Sequence, residues 1–142
     1  MGAFFEQNRQ MLDDYARMSQ LTGTRADYVQ GGGGNTSVKI NGCQMAVKAS
    51  GFRLSDVTPQ NAYAVMDFSE LRAFYHSNEP RMFEDVEKAG SQEAKKATLL
   101  IDGLPQLRPS VEAGFHSLLG TFVIHSHSVY ANLACCALEM QE

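Results

Sequence analysis

Apolar and polar residues recur along this chain with two periods, and the periods mark out the elements. Phe4, Phe5, Met11, Leu12, Tyr15, Met18 and Leu21 fall near one face of a helix, which Thr22-Gly23 ends. Residues 36–40 and 43–48 read as strands, joined by Asn41-Gly42, the favoured two-residue hairpin turn. Residues 62–68 read as another strand and 69–77 as a helix, broken by Asn78-Glu79-Pro80. Residues 81–101 carry a helical pattern, with Glu84, Asp85, Glu87, Lys88, Glu93, Lys95 and Lys96 on a solvated face and Gly90-Ser91 as a point of interruption. Ser110 is placed to cap a helix that runs to Leu119. A short apolar strand follows at 121–124, and a last helix precedes Glu142.

This order implies an α/β fold. The hairpin supplies antiparallel pairing, and helices come before, within and after the strands, so they can cover both faces of one sheet. A chain of 142 residues is expected to form one domain, spanning 1–142. The net charge of −4, from 16 acidic and 12 basic residues, implies no general affinity for nucleic acid. Cys43, Cys135 and Cys136 are an odd set with no CxxC pair, which fits a reducing cytoplasm. No apolar run approaches the roughly 20 residues that span a bilayer, and the N-terminus lacks a signal-peptide core, so no membrane partner is expected.

Three clusters carry candidate chemistry. The first is Glu112 with His125 and His127. Side chains alternate along a strand, so the two histidines face one side, roughly 6.6 Å apart along the backbone. Two imidazoles on one face can share a zinc ion at about 2.0–2.1 Å each, and a nearby glutamate can act as acid–base group. Such histidines are as readily surface or satisfied core residues, and a catalytic zinc site normally takes three protein ligands. The second cluster is Gly31-Gly32-Gly33-Gly34-Asn35-Thr36-Ser37, where consecutive N–H groups can form an anion nest. It reads equally as a flexible linker. The third is Lys48-Ala49-Ser50-Gly51, a strand exit that can receive an anion or be an ordinary turn with a solvated lysine.

Taken in order, Gly34-Asn35-Thr36-Ser37, Ala49-Ser50-Gly51, Pro109-Ser110-Val111-Glu112 and His125-Ser126-His127 resemble the class II aldolase/adducin family. That family includes the zinc-dependent L-fuculose-phosphate and L-rhamnulose-phosphate aldolases and L-ribulose-phosphate 4-epimerase. The resemblance implies an α/β/α sandwich with a mainly antiparallel central sheet, truncated here at the C-terminus, and a homotetramer with sites between subunits. It implies that Asn35, Ser50, Gly51 and Ser110, with Lys48 adding charge, surround the phosphate of a sugar phosphate. Val111 stands where the family has a second serine, so one phosphate hydroxyl is missing and an unphosphorylated sugar stays open. Glu112 matches the acid–base glutamate, and His125 and His127 match the first two zinc ligands. The family's third histidine and an assisting tyrosine from a neighbouring subunit are expected downstream of Glu142.

The activity so implied is retro-aldol cleavage of a ketose into a small keto compound and an aldehyde, with zinc or another divalent metal as Lewis acid. An epimerase or decarboxylase would use the same groups. A non-catalytic interaction module of the adducin kind, and a plain anion binder, remain as readings from other classes. His116 lies one turn after Glu112 on the same side and reads as structural rather than catalytic.

Overall fold

In the computed structural model, which describes residues 2–137, helices flank a four-stranded sheet. Two N-terminal helices, α1 (Ala3–Gln7) and α2 (Arg9–Gly23), precede the hairpin of β1 (Asn35–Lys39) and β2 (Gln44–Lys48). Strand β3 (Tyr63–Asp67) runs directly into α3 (Phe68–Ser77), and α4 (Val86–Lys96) follows. Then come α5 (Ala113–Leu118), β4 (Phe122–His125) and α6 (Val129–Cys136). The sheet order is β3-β2-β1-β4 and every pairing is antiparallel. Met1 and 138–142, part of the expected span, lie outside the described residues.

The two faces of the sheet follow from strand alternation. Val38, Ala46, Tyr63 and Val65 point one way and pack on Phe5, Leu12, Tyr15 and Ala16 of α1 and α2. Met45, Val47 and Met66 point the other way, onto Phe68, Leu71, Ala94 and Ala113 of α3, α4 and α5. The result is an α/β/α sandwich, and each fully buried Leu, Val or Met in it contributes about 1.5–3 kcal/mol. No helix among the described residues is long and apolar enough to cross a membrane.

The clearest departures from the sequence expectation lie at four element boundaries. The N-terminal helix breaks at Asn8, whose amide side chain donates to the Phe4 carbonyl at 2.8 Å and so competes with the helical ladder. Leu21, expected on the buried face, is exposed. The hairpin loop is longer than two residues: Ile40 N–H bonds the Gln44 carbonyl at 2.8 Å, and the Asn41 side-chain oxygen accepts the amides of Cys43 (3.0 Å) and Gln44 (2.8 Å). That Asx-type closure removes the need for positive φ, which neither Asn41 nor Gly42 adopts. Helix α4 starts late, because Pro80–Met82 forms a 3-10 turn and Asp85 caps the helix through Lys88 N–H at 2.8 Å. It stops early because Thr98 and Leu99 pair with the edge of β3.

Gly90 does not interrupt α4. It lies on the buried side of the helix, where a Cβ would run into the Tyr75 hydroxyl from α3. At the other end of the layer, the Lys39 ammonium donates to the carbonyls of His116 (3.0 Å), Leu119 (2.7 Å) and Gly120 (2.7 Å). A cation on these orphan carbonyls closes the C-terminus of α5 and aims the chain into β4.

The Gly90 contact yields a sign reversal. Alanine is the better helix former by about 1 kcal/mol, yet Gly90→Ala is expected to destabilise by about 1–3 kcal/mol through overpacking. In a Tyr75→Phe background the same substitution should be neutral or stabilising. Urea unfolding of the four proteins measures the coupling; an equal cost of Gly90→Ala in both backgrounds would refute the steric account.

Candidate functional site

The site forms where β1 and β4 pair. The register sets Asn35 opposite His125. Asn35 is 0% exposed, and its Nδ2 donates to Glu112 Oε2 at 3.0 Å. The other oxygen, Oε1, lies 3.8 Å from His125 Nδ1. The rings of His125 and His127 stand 5.0 Å apart, although His127 lies just past the end of β4. Glu112, His125 and His127 can each offer one ligand atom, all within 4.8 Å of one another. His125 Nδ1 is buried with no hydrogen-bond partner, which suits an atom meant for a cation.

Glu112 reaches this position because it precedes α5 rather than sitting in its first turn. It is the N-cap residue, with helical φ and ψ and no capping side-chain bond, so its carboxylate is free to swing across to β1. Ser110 is not the cap that the sequence suggested. It lies further out and is 7% exposed, and it supports the helix only through its carbonyl, which accepts Ala113 N–H at 3.1 Å.

The glycine run serves the histidines more than an anion. A Cβ on Gly33 would lie 2.8 Å from His127 Nδ1, and one on Gly34 would lie 2.9 Å from the His125 carbonyl. Gly34 also adopts a φ of 73°, a conformation costly for other residues. Absence of side chains here lets the backbone pass against both histidines. Lys48, a residue only 3% exposed, is likewise engaged by the protein: its ammonium donates to the carbonyls of Phe52 (2.7 Å) and Gly32 (3.4 Å) and so ties the Ser-Gly turn to the glycine run. Burial pushes the Lys48 pKa below its ordinary value, while Glu112 and Asp56 pull it back up.

Ser50 and Gly51 belong to a neighbouring arrangement. Ala49 bridges Pro109, and Ser50 N–H donates to the Arg108 carbonyl at 2.9 Å, so the Ser50 amide is not open to an anion. The Arg108 Nη2 donates to Ser50 Oγ at 2.8 Å. Gly51, with a φ of 88°, has open space around it. No hydrogen bond among the described residues joins Ser50, Gly51 or Ser110 to the Asn35–Glu112–histidine cluster. Sequence reasoning gave Arg108 no role; the signal was its position immediately before Pro109-Ser110.

His116 backs the site from inside. It is fully buried, its Nδ1 bonds Ser37 Oγ at 2.7 Å, and its ring lies 6.4 Å from that of His125. Burial, reinforced by His125, pushes its pKa down to about 4.

Comparison with known proteins places these features in context. The family model described as "Class II Aldolase and Adducin N-terminal domain" matches residues 13–142. Among solved structures, the chain is similar to the N-terminal class II aldolase domain of a conserved protein from Thermoplasma acidophilum, at 26% identity and a TM-score of 0.72. That match covers 89% of this chain and 60% of the other, so the chain spans less than two thirds of that structure. No curated protein matches the chain.

The buried His116 makes stability depend on pH. Its folded pKa is depressed, so the unfolded chain takes up the proton first as pH falls. The stabilisation is complete above about pH 6.5 and is lost toward pH 4, by about 3 kcal/mol in total. Urea unfolding of metal-free protein between pH 7 and pH 4 should show this loss, and His116→Gln should flatten it. Identical pH slopes in the two proteins would contradict a neutral, buried His116.

Proposed function

The chain belongs to the class II aldolase and adducin N-terminal domain family, and from that premise we propose that it acts as a metal-dependent lyase. The substrate class is a ketose, preferentially phosphorylated, cleaved by retro-aldol chemistry into a small keto compound and an aldehyde. The observation that carries this reading is the Glu112 carboxylate, bound by buried Asn35 and facing two adjacent histidines. A scaffold has no use for a buried amide that aims a carboxylate at two imidazoles.

His125 and His127 would hold a divalent ion, zinc for preference given the nitrogen donors. When bound, that ion supplies Lewis acidity to the substrate carbonyl and its neighbouring hydroxyl. Glu112 moves the proton. It takes one from the hydroxyl whose carbon becomes the aldehyde, the carbon–carbon electron pair passes to the keto fragment, and the proton is returned to that fragment's carbon. Asn35 fixes Oε2 by donation, which leaves Oε1 turned to the histidines. Phe115, whose ring lies 5.3 Å from that of His125, borders the site on that side. An epimerase or decarboxylase of the same family would use the same groups.

Elemental analysis of the full-length protein should find about one divalent ion per chain, largely lost in His127→Ala. Equal metal content in both would sink the metal reading. Glu112→Gln should lower kcat roughly 10²–10⁴-fold with metal content little changed. A variant that cleaves at the parent rate would remove Glu112 from the mechanism. Retained metal with no cleavage of any ketose phosphate would turn the assignment toward an epimerase or decarboxylase. Asn35→Ala should lower kcat about 10–100-fold with KM little moved, the size of one charge-assisted hydrogen bond; a rise in KM alone would instead make Asn35 a substrate ligand.

A further inference from the structure

We propose that His116 is a positioning residue: its bond to Ser37 is the second of two rungs between β1 and α5, and it holds α5 where Glu112 faces the histidines. The kinetic consequence rests on the lyase reading above; the geometry does not.

The rungs match in pitch. Asn35 and Ser37 are two apart on a strand, so they share a face and stand roughly 6.6 Å apart. Glu112 and His116 are four apart, so they share a face of the helix and are separated by about 6 Å along its axis. Both pairs therefore bond at once: Asn35 Nδ2 to Glu112 Oε2 at 3.0 Å, and Ser37 Oγ with His116 Nδ1 at 2.7 Å. The backbone links them, because His116 N–H donates to the Glu112 carbonyl at 3.2 Å. Lys39, the next residue on that face of β1, bonds the carbonyls at the far end of α5. Alternate residues of one strand thus grip the helix at its start, middle and end.

Such a grip is needed. Helix α5 has six residues, Ala113–Leu118, too few to hold a helix in place without tertiary contacts. Packing alone does not explain a histidine at 116. It is 0% exposed, and its Nε2 has no hydrogen-bond partner. An apolar side chain would fill the same space without that penalty. What the imidazole adds is the bond through Nδ1. Without Ser37 Oγ, both nitrogens of a buried ring lack partners. The ring then turns to find one and carries α5 with it. A displacement near 1 Å at a reacting group costs on the order of 10²-fold in rate.

The test uses full-length protein. Ser37→Ala and His116→Leu should each lower kcat about 10–100-fold on a phosphorylated ketose, with KM within about twofold of the parent. His116→Asn keeps a polar atom where Nδ1 sits but loses ring volume. It should recover most of kcat while unfolding in less urea than His116→Leu. A purely structural role makes activity follow stability, so Leu outperforming Asn would overturn the proposal. Ser117→Ala is the control, because that buried hydroxyl bonds only within α5, to the Gly114 carbonyl at 2.6 Å. It should leave kcat at the parent value; an equal fall there would also overturn the proposal. The readout independent of activity is the crystal structure of metal-free Ser37→Ala. The Asn35–Glu112 pair should open beyond about 3.5 Å, and a bond kept at its parental length refutes the positioning role. A parent that cleaves no ketose rejects the lyase reading, and the crystal structure then decides the role of His116 by itself.

Discussion

The pairing of β1 with β4 is the constraint on which the rest depends. It sets Asn35 beside His125, and Asn35 in turn holds Glu112, which lies 77 positions away in the chain. Slipping the register by one residue would send Asn35 and His125 to opposite faces and dissolve the cluster. Lys39 guards against the slip. Its backbone N–H bonds the Thr121 carbonyl at 2.8 Å, and its ammonium gathers the carbonyls at the end of α5. One strand thus fixes where β4 begins and where its histidines emerge.

That strand is unusual for a sheet interior, because Asn35, Thr36 and Ser37 are all polar and all 0% exposed. Each is accommodated by a partner from a different layer. Thr36 Oγ1 lies 2.7 Å from Ser19 Oγ on α2, Ser37 bonds His116 on α5, and Asn35 bonds Glu112. The strand therefore locks the two helical layers to the sheet by directional bonds, where an apolar strand would only fill space. The cost is concentrated at one place. Asn35 Oδ1, His116 Nε2 and His125 Nδ1 are buried without hydrogen-bond partners, each a penalty of about 1–3 kcal/mol. Unsatisfied groups gathered at one site are what a fold tolerates for chemistry rather than for stability.

Much of this was legible in advance, for reasons that vary by element. The strands, α3 and the helix after Ser110 were readable from local period and punctuation. The α4 boundaries were not, because they depend on Asp85 as cap and on Thr98 pairing with β3, a contact distant in sequence. The hairpin turn misled because an Asn side chain can close a loop by accepting amides as well as by taking a left-handed backbone. Lys48 was read as a charge for a ligand, yet its hydrogen bonds go to two backbone carbonyls that only the fold brings near. Arg108 was given no role because its side chain bonds Ser50, which is not near it in sequence.

By itself the sequence determined which residue types were at hand: a carboxylate, two histidines spaced for one side of a strand, glycines free to adopt left-handed or crowded backbone, and an ordered set of short motifs that resemble one family. Those are properties of local chemistry and spacing. Only the tertiary structure decided that Gly33 and Gly34 make room for the histidines, that Asn35 is committed to Glu112, and that Ser37 is committed to His116. Each of these depends on which segments meet. That is settled by burial of the two apolar faces of the sheet and by the register of β1, which no short window of the chain contains.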